Sequence, residues 1–490
     1  MVLRRYKAMP GIRFYKHEDI PLEMHKVKVV QQLSLLPADQ RLERIKAAGF
    51  NTFQLHNGDI FMDMLTDSGV NAMSDEQLAG MMKPDDAYAG SESFYRMQDK
   101  LNEIFGIGNC LPAHQGRACE NILAERFVKP GNCVIMNYHF TTAKAHITRK
   151  GGHVEELVKD EGLEARSSLP FKGDIDLDKL EACVQAEGAD NVSFMRIEAG
   201  TNLIGGQPVS LQNFRDACAV ARKHGIISVL DASLLQDNLY FIKTRDPGCA
   251  DMSVREITRE IADQFDIIYF SARKFGFARG GAILVRDEEL FHSMEDLVPM
   301  FEGFLTYGGM SIREIEAMTV GFDESMEMDI ISQGPIFIKY AVDQMDAYGI
   351  PMITPGGGLG AHVNASEFVK HIPQEEYPAG ALTAAFYICG GIRGMERGTL
   401  SEERNPDGSE RLASMELVRL ALPRRVFTLS QVEYVIDRAK WLFDHREMVG
   451  GLRFVHEPAT LRFFTGRLEP VSDWPDRLAA AFRADFGDDQ

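Results

Sequence analysis

Asp266-Ile-Ile-Tyr-Phe-Ser271-Ala-Arg-Lys274-Phe-Gly-Phe-Ala-Arg-Gly280-Gly-Ala-Ile-Leu-Val285 reads as an apolar strand, a short polar turn and a second apolar strand. The turn sets Lys274 just past a buried strand and against glycine-rich backbone. Upstream, the apolar run Ile226-Ile-Ser-Val-Leu230 ends on Asp231. A carboxylate then stands at the C-terminal end of a strand, where open α/β sheets bind their ligands. Taken singly, these are an ordinary surface lysine and a helix-capping aspartate. A third stretch changes that reading. In Pro112-Ala-His-Gln115-Gly116-Arg117-Ala-Cys-Glu120-Asn121, small residues open a helix. The free N–H groups of a helix start make a seat for an anion, and Arg117 can add a charge-assisted contact to phosphate. An amine for a Schiff base, an anionic partner for a pyridinium nitrogen and a phosphate seat are what pyridoxal phosphate requires.

Working outward, helices and strands alternate from about residue 91 to 290. Helices are predicted over 91–105, 117–128, 141–149 and 211–224, and strands over 133–136, 192–197, 226–230, 267–270 and 282–285. Strands separated by helices of this length predict a mostly parallel sheet with helical cover, an α/β fold. After about 290 the pattern is helical through residue 347, and Pro355-Gly-Gly-Gly358 marks a turn into a mixed region. A helix over 37–48 follows an irregular arm over 1–33. The expected division is 1–73 as an arm with part of a small lobe, 74–327 as the large cofactor-binding lobe, and 328–490 as the small C-terminal lobe.

Composition narrows the function classes. The 490 residues carry 53 Lys plus Arg against 72 Asp plus Glu, a net charge of −19, which disfavours nucleic acid and anionic membranes as partners. The seven cysteines form no Cys-x-x-Cys pair, and Met-Val-Leu-Arg-Arg-Tyr-Lys at the start leads into no apolar core; both predict a cytoplasmic protein. No run approaches the ~20 apolar residues of a membrane helix.

Two further residues fit the cofactor reading. Phe140, after the strand 133–136, can stack on a planar ring, and Asn202 lies in a glycine-rich loop just past the strand 192–197. Each has an ordinary alternative, core packing for Phe140 and turn chemistry for Asn202.

Several stretches in order carry a family likeness: Phe61-Met-Asp-Met-Leu-Thr66-Asp67-Ser68-Gly69, Asp86-Ala-Tyr88-Ala-Gly90-Ser91, His114-Gln-Gly-Arg117, Gly205-Gly-Gln-Pro-Val-Ser210, Asn238-Leu-Tyr-Phe-Ile-Lys243, Thr306-Tyr-Gly-Gly309 and Leu461-Arg-Phe-Phe-Thr465. From about residue 25 to 470 the chain resembles the tryptophanase and tyrosine phenol-lyase family. The resemblance implies a fold-type I pyridoxal-phosphate enzyme, similar to aspartate aminotransferase, with a large mostly parallel lobe and a smaller α+β lobe. It implies a homotetramer built from dimers, or a homodimer, with active sites shared between subunits, and an amino acid as substrate. It assigns the phosphate to Gln115, Gly116, Arg117 and Ser271, ring stacking to Phe140, the ring oxygen to Asn202 and the ring nitrogen to Asp231. Glu120 joins that cofactor set. Lys274 forms the Schiff base, Arg419 grips the substrate carboxylate, and Tyr88 is the acid that protonates the leaving ring carbon. Thr66, Thr141, Arg397, Phe463 and Phe464 complete the substrate side, and no metal ligand is assigned. Arg397, Thr141 and Phe463 match the phenol-lyase branch, so tyrosine or a ring-substituted tyrosine, cleaved to a phenol, pyruvate and ammonia, is the expected substrate. Another β-substituted amino acid, or a silent cofactor-binding homologue, is the alternative.

The chain also departs from the family pattern. Leu234 stands in place of an arginine near the ring oxygen, Arg273 of a lysine beside the Schiff-base lysine, Glu92 of an arginine and Leu359 of a histidine. Asp86 and Arg279 replace a glutamate and an asparagine that help hold a monovalent cation, and an Asp86–Arg279 ion pair, or else a solvent-facing Arg279 with the ion lost, is expected instead.

Overall fold

In the computed structural model, residues 14–15 and 20–487 are described; most of the predicted arm lies outside them. The main sheet has seven strands: β1 (Asn109–Ala113), β2 (Cys133–Met136), β3 (His153–Glu156), β4 (Val192–Glu198), β5 (Ser228–Asp231), β6 (Ile267–Ser271) and β7 (Gly281–Val285). Their order in space is β1-β7-β6-β5-β4-β2-β3. All neighbours pair in parallel except β7, which runs antiparallel to both β6 and β1. This is the expected α/β architecture of mostly parallel strands. Helices cover both faces, because each central strand is apolar on both sides and would otherwise expose them.

The predicted strands all form, with boundaries shifted by at most two residues. Strands β1 and β3 were not anticipated from the sequence. Both are edge strands: Pro112 interrupts the pattern of β1, and His153-Val-Glu-Glu156 is half exposed. Proline lacks a ladder donor and is tolerated at a sheet edge.

A separate apolar cluster joins residues 38–65 to residues 338–482. Its helix Pro378–Gly390 is buried along its whole length. Around it sits a three-stranded antiparallel sheet of β8 (Gly360–Asn364), β9 (Met395–Arg397) and β10 (Leu417–Ala421), in the order β9-β10-β8. Among the described residues no helix is long and apolar enough to cross a membrane.

Candidate active site

The parallel strands end together, and the residues singled out above gather at those C-terminal ends. Strand β4 ends on Glu198, β5 on Asp231 and β6 on Ser271, and Phe140 follows β2. Glu198 and Asp231 are register partners, as are Asp231 and Tyr269.

Asp231 is buried, and both of its oxygens are bonded. Oδ1 accepts from the Ser233 N–H at 2.9 Å; Oδ2 accepts from Tyr269 Oη at 2.9 Å and from Arg196 Nη2 at 2.5 Å. Burial alone would raise its pKa, but the Arg196 guanidinium and these hydrogen bonds outweigh it and hold the carboxyl below its usual value. Asp231 is therefore fit to keep a ring nitrogen protonated. Lys274 is buried, with Nζ 5.4 Å from the centroid of the Phe140 ring. An amine beside an aromatic face leaves room for a planar group against that ring.

The anion seat is built by close packing. Helix Gly116–Phe127 starts against β6, and a Cβ on Gly116 would come within 2.9 Å of Ser271 Cβ. Ser271 is fixed by its N–H donating to Ser233 Oγ at 3.0 Å. Around this seat Arg273 has its pKa lowered by burial and then by the charges of Arg279 and Arg117. Its side chain donates to Ser68, Nε to Oγ at 3.2 Å and Nη2 to the carbonyl at 3.4 Å. Guanidinium charge thus collects beside a helix start, which suits a phosphate. Gln115 and Arg117 stand at that start, and the exposed Arg117 lies 5.4 Å from the Phe464 ring.

The second sheet supplies the opposite wall. Met395 pairs with Arg419 and Arg397 with Leu417, so both arginines leave the same face. Arg419 Nη1 donates to Asn202 Oδ1 at 2.9 Å and Nη2 to the Leu65 carbonyl at 2.8 Å, next to Thr66. Arg397 Nη1 donates to Thr141 Oγ1 at 3.3 Å, and its guanidinium lies 5.7 Å from the Phe140 ring. Burial pushes Arg419 down to about 10, and burial together with Arg419 holds Arg397 well below its usual value. Among the described residues, both Nε atoms, Asn202 Nδ2 and Glu198 Oε2 are buried without a hydrogen-bond partner. Buried polar groups of this kind require partners. Pyridoxal phosphate and an amino acid, bringing a phosphate, a ring hydroxyl and a carboxylate, fit the donors of the two arginines and Asn202.

Phe463 is buried and packs edge-on to Phe53 at 5.6 Å, with Phe464 4.0 Å from it. Tyr88 is not brought to the cluster within one chain. It is 71% exposed, stacked on Phe304 at 5.9 Å and tilted against Tyr307 at 5.3 Å. The expected Asp86–Arg279 pair is also not formed. Asp86, in a turn at φ +48°, faces helix Ile312–Glu324 and lies 3.5 Å from Arg313, while Arg279 is exposed.

The sequence reading missed a group of buried charges beneath this site. Arg196 reaches Asp231 and stands 3.6 Å from Glu198 Oε2; Glu198 Oε1 accepts from the Asn202 N–H at 3.3 Å. Glu120, assigned by resemblance alone, accepts from Thr142 Oγ1 at 2.6 Å and lies 3.5 Å from Tyr269 Oη. Burial pushes both Glu120 and Glu198 up to about 7. The available signal was two charges, Arg196 and Glu198, inside a strand that is apolar but for them and Ser193.

Comparison with known proteins decides the family. The model of the family described as beta-eliminating lyase matches residues 63–438. The chain belongs to the beta-eliminating lyases. Over 452 residues it is 40% identical to a tyrosine phenol-lyase of Pasteurella multocida, covering 92% of this chain and 99% of that one. A tyrosine phenol-lyase of Lacrimispora saccharolytica is 41% identical over 451 residues, with 91% and 96% covered. The Sphingomonas wittichii serine palmitoyltransferase structure aligns with a TM-score of 0.55 at 12% identity, over 80% of this chain and 90% of that one. That likeness supports the fold, and the fold is type I. As a beta-eliminating lyase the chain is an enzyme. Two of its departures now have structural accounts. Leu234 is buried against Gly200, where an added Cβ would lie 3.0 Å from Leu234 Cβ. Leu359, at φ +71°, donates its N–H to Asp237 Oδ2 at 2.9 Å, and the other oxygen of Asp237 binds Arg424.

Proposed function

We propose that this lyase cleaves L-tyrosine, or a ring-substituted tyrosine, to a phenol, pyruvate and ammonia, using pyridoxal phosphate held on Lys274. When bound, that cofactor supplies the electron sink for bond breaking at Cα and Cβ. Gln115, Gly116, Arg117 and Ser271 would hold its phosphate, Phe140 would cover one ring face, Asn202 would meet the ring oxygen and Asp231 the ring nitrogen. Arg419 would bind the substrate carboxylate beside Thr66. With substrate in place, the Lys274 amine would take the Cα proton. An aromatic ring leaves only after its γ carbon is protonated, and Tyr88 is the acid. Its exposure supports delivery from a neighbouring subunit, hence a homodimer or homotetramer with shared sites, and we place the enzyme in the cytoplasm. The division into lobes at 1–73, 74–327 and 328–490 is part of the same reading, supported by the separate apolar clusters.

The observation that carries the choice of substrate is Arg397, a buried guanidinium bonded to Thr141 and facing the Phe140 ring. A phenol must lose its proton as its ring tautomerises, and a cation with a hydroxyl beside that oxygen promotes the loss. The identity to proteins named tyrosine phenol-lyase supports the same choice. Arg397→Ala should lower kcat/KM for tyrosine by about 10²–10³-fold, the usual effect of removing one charge-stabilising donor. It should spare S-alkyl cysteine, which carries a good leaving group and no ring. Equal losses on both substrates would remove Arg397 from the chemistry and the phenolic substrate from the proposal.

A further inference from the structure

One of the cysteines scattered in sequence meets two other metal-binding side chains at the far end of the main sheet. Cys133 opens β2 and His153 opens β3, and the two are register partners in a parallel pair, so their side chains leave the same face. Helix Leu177–Glu187 packs on that face: its Leu180 and Val184 share an apolar cluster with Cys133, and Cys183 packs against it. Cys183 and Glu187, four residues apart, lie on one side of this helix. A Cys133 sulfur, a His153 ring nitrogen and a Glu187 carboxylate oxygen all lie within 4.8 Å of one another, and among the described residues this is where three such groups meet. His153 Nε2 is 3.4 Å from Glu187 Oε1, while Asn191 Nδ2 donates to Glu187 Oε2 at 3.1 Å and fixes the carboxylate. Neither Cys133 nor Cys183 is in a disulfide.

We propose that Cys133, His153 and Glu187 form a binding site for one divalent metal ion of the zinc class. A sulfur, an imidazole and a carboxylate are donors that zinc takes, and the softer ligands select against magnesium and calcium. The Asn191 contact orients a ligand from outside the site, as metal centres require. With three protein ligands, the ion keeps water in its fourth position. It ties the edge strand β3 and its neighbour β2 to the covering helix. The site lies at the N-terminal ends of β2 and β3, and Phe140 follows the opposite, C-terminal end of β2, so the metal site does not meet the substrate.

The test is metal uptake by the reduced, cofactor-loaded enzyme after chelation and dialysis. Titration with zinc and with cobalt should give about one tightly held ion per chain, and cobalt should show sulfur-to-metal charge-transfer and tetrahedral absorption bands. Cys133→Ser, Glu187→Gln and His153→Ala should each weaken binding by about 10-fold or more, the scale of losing a supporting contact or greater. Cofactor absorbance should be unchanged in all three. Zinc should raise the thermal midpoint of the wild type but not of His153→Ala, whose position is partly exposed and tolerant of change. Uptake of no stoichiometric metal would overturn the site, as would equal uptake by wild type and variants. A Cys133–Cys183 disulfide in the protein as isolated, with no metal bound after reduction, would also overturn it.

Discussion

Asp231 shows how one side chain is set for its task by neighbours the sequence does not advertise. Its ionisation rests on Arg196, and Arg196 in turn stands against Glu198 and within the field of Glu120. Asp231→Ala removes the anion that keeps a ring nitrogen protonated, so turnover should fall by orders of magnitude while borohydride still traps cofactor on Lys274. Unchanged turnover in that variant would take Asp231 out of the site. Leu234 makes a second prediction at this scale. A cation beside a ring oxygen favours its phenolate form, and leucine provides none. Leu234→Arg should shift the pH titration of the loaded enzyme's visible absorbance to lower pH; no shift, or an upward one, would count against this placement of Leu234.

At the scale of elements, the meeting of helix Gly116–Phe127 with β6 makes the anion seat, and it has no spare volume. Gly116→Ala forces a Cβ against Ser271, and overpacking of this kind costs about 1–3 kcal/mol. Cofactor affinity should fall by about 10-fold, measured by equilibrium titration of the apoenzyme. Strand β9 carries a second buried carboxyl next to Arg397. Glu396 accepts from the Gly398 N–H at 2.6 Å and from Ser401 Oγ at 2.7 Å, and burial, then Glu416, pushes it up to about 7. A carboxyl whose pKa is raised on folding binds its proton more tightly in the native state. Its contribution is full below about 4.5 and is lost as pH rises through about 7. The thermal midpoint of wild type should therefore fall across that window, and Glu396→Gln should flatten the fall.

These elements also show what was legible beforehand. Runs such as Ile267–Ser271 announce themselves because a parallel strand buried on both faces is apolar throughout. Strand His153–Glu156 did not, since an edge strand with half-exposed charges has no such pattern. Lys274, Asp231 and Gly116 could be read because each stands where a strand or helix boundary fixes its direction. Arg196 could not: which way a strand residue reaches depends on the neighbouring strand, and Asp231 is 35 residues away. The Cys133, His153 and Glu187 cluster was hidden for the same reason, with its members spread over two strands and a helix.

Across the whole molecule, the elements of the two sheets meet through arginines. Arg419 of the second sheet binds Asn202, which follows β4 of the first, and Arg397 binds Thr141, which follows β2, so the cluster of candidate residues needs both sheets in place. On the proposed function, Tyr88 extends that dependence to a second subunit. If its exposed ring acts in a neighbour's site, Tyr88→Phe and Lys274→Ala proteins should each be inactive alone. Dissociated and reassembled together, they should recover activity in the mixed oligomers, approaching a quarter of the wild-type level for random dimers. No recovery would place Tyr88 and Lys274 in the same chain's site, or Tyr88 outside the chemistry. The most direct measurement is the product balance from L-tyrosine. The wild-type enzyme loaded with pyridoxal phosphate should release phenol and pyruvate in equal amounts, and Lys274→Ala should release neither. Wild-type enzyme that leaves tyrosine intact while forming pyruvate from S-alkyl cysteine would contradict the account.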